Sequence, residues 1–116
     1  MFDLEFYTLP NGQKPVELFL NELPMKMRIK AIDSLELLEE YGNQLKMPYS
    51  KFLEDGIFEL RIKFASDITR IFYFFYVENR IIVTNGFVKK TQRTPKDELT
   101  KAKKYKKDYE RRHMHE

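Results

Sequence analysis

The stretch 68–77, ITRIFYFFYV, constrains the fold more than any other. Apolar residues fill both alternating sets, so a strand here needs cover on both faces. Two further strand-like runs flank it. Upstream, GIFELRIKF (56–64) places Phe58, Leu60, Ile62 and Phe64 on one face, with Ile57, Glu59, Arg61 and Lys63 on the other. Downstream, RIIVTNGFV (80–88) is interrupted by Gly86, which marks a bulge or a close approach by another backbone or a ligand. Ala65-Ser66-Asp67 and Glu78-Asn79 supply turns. Two consecutive hairpins make the three strands an antiparallel meander.

The remaining segments supply the cover. Residues 2–8 alternate, with Phe2, Leu4 and Phe6 against Asp3, Glu5 and Tyr7, and predict a half-buried strand. Pro10-Asn11-Gly12 is a turn. Lys14-Pro15 opens a short helix with Val16, Phe19, Leu20 and Leu23 on one side. Leu23-Pro24 ends it. A longer helix from about Met25 has the apolar side Met25, Ile29, Ile32, Leu35 and Leu38, with Gly42 as its stop. The two helices are expected to form an antiparallel pair. Residues 43–55 read as a connector without a clear period. Thr94-Pro95-Lys96-Asp97 resembles a capping box, with Thr94 as N-cap. It starts a helix with an inner stripe of Leu99, Ala102, Tyr105 and Tyr109, surrounded by lysines. The expectation is an α+β sandwich, a single domain over 1–116: strand and helical pair (1–55), meander (56–89) and C-terminal helix (94–112).

Composition fits one core. A chain of 116 residues, 42% apolar with ten Phe and seven Tyr, buries roughly two thirds of its unfolded surface. The absence of cysteine excludes disulfides and thiolate metal sites. No apolar run approaches the roughly 20 residues of a membrane span. The first residues, MFDLEFYTLP, carry acids where a secretion signal carries bases, so a cytoplasmic location is expected. The net charge of +3 is uneven: residues 1–60 hold 6 Lys/Arg against 11 Asp/Glu, and residues 89–112 hold 11 against 4. A basic C-terminal third points to a polyanion or an acidic partner, or is simply a solvated lysine-rich helix.

The cations have a place to meet. Arg70 stands in an apolar run, where it either pairs with a carboxylate such as Glu59 or faces a polar cleft. Lys89 and Lys90 leave the end of the last strand, Arg93 follows in the loop, and the helix after Pro95 turns its positive end toward them. Such a set can hold one anion. RNA is favoured by the cation excess and the nearby tyrosines, whose rings can stack on unpaired bases. There is no glycine-rich phosphate loop. The histidines, His113 and His115, fall in a tail expected to fray, and neither a metal nor another cofactor is expected. Metal-free RNA cleavage needs only a base for the ribose 2′-OH and cations for the developing charge, and a lysine among cations can be that base.

Three motifs in order extend this reading. DGIFELRIKF, TRIFYFF and GFVKKTQRTP with its basic helix resemble the HigB-like branch of the RelE/ParE toxin superfamily, through Gly56, Phe58, Glu59, Leu60, Arg61, Arg70, Ile71, Phe87, Lys89, Lys90, Thr91, Thr94 and Pro95. The resemblance covers nearly the whole chain. It implies a small antiparallel sheet on a helical pair, and a toxin of a bacterial type II toxin–antitoxin module that cuts mRNA, commonly on the translating ribosome. It also implies a helix-turn-helix antitoxin, with DNA contacted only indirectly through it. Arg61, Arg70, Lys89 and Lys90 match the branch's basic positions and are the expected catalytic set. Lys63, Tyr73, Arg93 and Thr94 are the expected substrate-binding set. Each has a structural alternative: surface charges for Arg61 and Lys63, a core ion pair for Arg70, packing for Tyr73, a helix cap for Thr94. A gyrase poison of the same fold, or a non-catalytic RNA-binding module, are the competing functions.

Overall fold

The computed structural model describes residues 1–89 and 94–114. Its elements run β1 (Asp3–Phe6), α1 (Pro15–Glu22), α2 (Met25–Tyr41), β2 (Ser50–Glu54), β3 (Ile57–Phe64), β4 (Asp67–Tyr76), β5 (Arg80–Lys89) and α3 (Lys96–Arg112). The expected α+β architecture is present. The sheet is wider than the meander and mixed, in the order β1-β5-β4-β3-β2. β1 lies parallel to β5, with Phe6 beside Val83, and every other pairing is antiparallel.

β4 dictates the layers. Ile71 and Tyr73 point to one face and join Leu60, Ile62, Ile81 and Val83 against α1 and α2. Phe72 and Phe74 point to the other and join Ile57, Ile82 and Phe87 against Ala102 and Tyr109 of α3. The alternation of β3 and the inner stripe of α3 are as the sequence implies. Tyr7, expected on the wet side of its strand, is buried in the α3 layer instead. It stacks on Tyr105 at 4.5 Å between ring centres and donates a 2.6 Å hydrogen bond to Asp108 Oδ2. Burial, then the Asp108 carboxylate, pushes the Tyr7 hydroxyl up to about 12.

Two differences concern the helical layer and its border. α2 buries Met27, Ala31, Leu35 and Leu38, while Met25, Ile29 and Ile32 of the expected stripe are exposed. Both sets have helical spacing, and Arg28 selects between them. Its guanidinium donates to the carbonyls of Leu20, Asn21 and Leu23 at the C-terminal end of α1, the first of which also accepts the Leu23 N–H. Holding Arg28 against the end of α1 rotates Met27 and Ala31 inward. Gly42 ends α2 as expected, at φ +51, where a Cβ would strike the Phe2 ring. The second difference is β2, which occupies the supposed connector and pairs with β3 through Lys51 opposite Glu59.

Gly86 is explained by packing. The bulge of β5 lies just before it, where Thr84 is inserted between the Phe72–Asn85 and Tyr73–Val83 pairs. At Gly86 itself the missing side chain makes room for Phe19 of α1, whose ring atoms would lie 2.5 and 2.6 Å from a Cβ. Gly86→Ala is expected to lower the unfolding free energy in urea by about 1–3 kcal/mol, through displacement of that ring.

Candidate active site

The α3 face of the sheet carries the cations. Arg61 of β3 stands directly opposite Arg70 of β4, and the next pair along is Lys63 with Ile68, whose other neighbour is Lys89 of β5. Like charges facing each other across two strands repel. One pleat away, the Glu59 carboxylate answers both. Its Oε1 is 3.3 Å from Arg70 Nε and 3.9 Å from Arg61 Nε. Glu59 and Arg70 are almost fully enclosed, at 2% and 3% exposure, whereas Arg61 is half-buried and Lys63 exposed.

The contact is close but not aligned. Among the described residues, neither the Arg61 Nε nor the Arg70 Nε has a hydrogen-bond acceptor, although both are buried. Arg70 Nη1 donates weakly to the Thr69 carbonyl at 3.3 Å, and Arg61 Nη1 reaches Met47 Sδ at the same distance. Here one carboxylate is shared by two guanidinium groups. Burial lowers the pKa of Arg70 most, and nearby Arg61 lowers it further, against the opposing effect of Glu59.

Lys89, half-buried at the end of β5, feels the same group of charges. Desolvation lowers its pKa most. Glu59 raises it, and Arg70, Arg61 and Lys51 lower it further. Lys51 is the cation that sequence reasoning missed. It belongs to β2, and its place opposite Glu59 puts it on this face. Periodicity offered no signal for it: SKFLE does not alternate, and Phe52 is exposed where a core residue would be expected.

Thr94 is not a helix cap. α3 begins at Lys96 with Pro95 as its N-cap residue and no side-chain capping bond. The Thr94 hydroxyl instead donates to Glu59 Oε2 at 3.3 Å, tying the segment before α3 to the carboxylate that holds the arginines. The first turn of α3 already contains Asp97 and Glu98, so its positive end is met by its own acids rather than left for a ligand. Much of the basic charge of α3 is also paired. Lys103 contacts Glu54 and Asp55, Lys106 contacts Glu110, and Arg111 and Arg112 contact Asp108. The sheet thus carries cations in addition to those of the helix.

Tyr73 does not join the group. Strand alternation turns it to the helical-pair face, where it is buried and shares a short hydrogen bond with Ser50 Oγ. Lys90 and Arg93 lie outside the described residues, as does His115. His113 is not frayed: its ring stacks on Tyr109 at 3.9 Å between centres.

Beside the cations a cleft of about 700 Å³ runs where β3 outreaches β2. Arg61, Lys63 and Arg70 line it, with Pro48 and Tyr49 from the loop before β2 and Lys30, Asp33 and Ser34 from α2. Among the described residues no group of three or more His, Cys, Asp or Glu could hold a metal ion, and no helix is long and apolar enough to cross a membrane.

The family model described as Phage derived protein Gp49-like (DUF891) matches residues 18–107, and the chain belongs to this family, a RelE/ParE-like toxin family of toxin–antitoxin systems. Membership suggests an antitoxin partner. No curated protein matches the chain.

The enclosed pair can be tested directly. Arg70→Met leaves the Glu59 carboxylate with one counter-charge fewer and is expected to cost about 3 kcal/mol in urea unfolding, most of it recovered when Glu59→Gln is added.

Proposed function

We propose that this chain is the toxin of a bacterial type II toxin–antitoxin system in the HigB-like branch, a metal-independent endoribonuclease that cuts mRNA on the translating ribosome in the cytoplasm. A helix-turn-helix antitoxin restrains it, and DNA is met only through that antitoxin. The observation that carries the reading is the gathering of Arg61, Arg70 and Lys89 around one buried carboxylate, beside a cleft.

The chemistry needs little else. The ribose 2′-oxygen bonds to the adjacent phosphorus while the bond to the 5′-oxygen breaks. One fragment ends in a 2′,3′-cyclic phosphate and the other begins with a 5′-hydroxyl. The 2′-OH proton passes to the neutral Lys89 amine, and the departing 5′-oxygen takes a proton from solvent. Arg61 at the rim and Arg70 on the floor hold the phosphate as charge builds on its free oxygens. The lowered pKa of Lys89 increases the neutral fraction that can accept a proton near physiological pH. Lys90 serves as second clamp or alternative base. Lys63, Lys51 and Arg93 draw the RNA backbone across the sheet.

Induction in cells followed by mapping of RNA ends is expected to show discrete cuts in mRNA. A gyrase poison or a passive RNA binder gives none. Arg61→Ala is expected to reduce cleavage by about 100-fold or more while preserving the fold. Lys89→Arg, which keeps the charge but cannot release its proton, is expected to lose a similar factor. The parent rate should rise with pH until Lys89 is neutral and then level off, because only the deprotonated amine is a base. A flat profile, or full activity in Lys89→Arg, removes Lys89 from that role.

A further inference from the structure

Glu59 is an acid at the centre of a basic surface. Lys51 faces it from β2, Arg61 adjoins it on β3, Arg70 stands one pleat away on β4, and Lys89 lies within its electrostatic reach at the end of β5. Negative charge weakens any surface meant for an anion, so a carboxylate here works against phosphate binding. Unlike Arg61 and Arg70 it does not line the cleft, which keeps it from serving as the group that touches substrate.

Its contacts show what it offsets that cost with. One oxygen is shared by the Nε edges of two guanidinium groups, and the other accepts from Thr94, just ahead of α3. Three backbone segments are thus referred to one point. Without the carboxylate, Arg61 and Arg70 face each other across the strands as like charges and have reason to swing apart.

We propose that Glu59 is a positioning residue, which holds Arg61 and Arg70 side by side and anchors the Thr94 segment over them, so that the two guanidinium groups meet one phosphodiester together. This rests on the reading of the site as a ribonuclease centre.

The test separates binding from turnover. Glu59→Gln is compared with the parent for affinity to a uniformly 2′-O-methylated single-stranded RNA, which cannot be cut. Turnover is measured on a defined mRNA in a reconstituted translation mixture, and circular dichroism with thermal unfolding reports on the fold. Removal of the acid is expected to leave affinity equal or tighter while turnover falls about 100-fold, the effect of misplacing groups that must act together. Glu59→Asp, which keeps the charge but retracts it, is expected to fall in between and is decisive if the Gln variant does not fold. Unchanged turnover in a folded variant, or a parallel loss of affinity and turnover, overturns the proposal. If the parent itself cuts no RNA, the ribonuclease reading fails, whereas a parent that cuts RNA with undiminished turnover in a folded Glu59→Gln sinks the positioning role alone.

Discussion

β4 cannot leave either face to water. Ile71 and Tyr73 need a layer on one side, and Phe72 and Phe74 need one on the other. This double requirement draws α1 and α2 to the first face and α3 to the second, and it fixes β3 and β5 as the flanking strands. A burial of about 1.5–3 kcal/mol for each large side chain makes the arrangement the dominant stabilising choice. Everything at the cation cluster inherits its position from that strand. Arg70 is held where it is because Phe72 and Phe74 hold β4.

The electrostatics run against the packing. Arg70 is buried as deeply as its aromatic neighbours, and a guanidinium there is costly unless an acid stands close. Glu59 fills that need with one carboxylate shared between two arginines, which leaves the face strongly positive beyond it. Hydrophobic replacement of both partners at similar volume would cost little stability and leave no charge to offer.

The three central strands were legible because alternation, turn residues and length agree there. The short turn at Ala65-Ser66 then sets the register that pairs Arg61 with Arg70. β2 was not legible, because an edge strand with Ser50 buried and Phe52 exposed reverses the usual pattern, and Lys51 was lost with it. The rotation of α2 depends on Arg28 reaching the carbonyls of α1, a contact between elements that periodicity does not encode. Thr94 had the sequence of a cap, and the tertiary contact with Glu59 won. The buried Glu59–Arg70 pair was foreseeable as one of two options, since a charge in an apolar strand requires a partner, but its sharing with Arg61 depends on register.

The order of strands in the sheet differs from their order in the chain. β1 is made first, yet its only neighbour, β5, is the last strand, and Asp3 waits for Arg80. α3 must then arrive to close the second layer. Such long-range closure slows folding, and it means that a nascent chain whose β5 is still inside the exit tunnel lacks both the finished sheet and the assembled cations. Synthesis and competence are thereby separated in time by the topology alone.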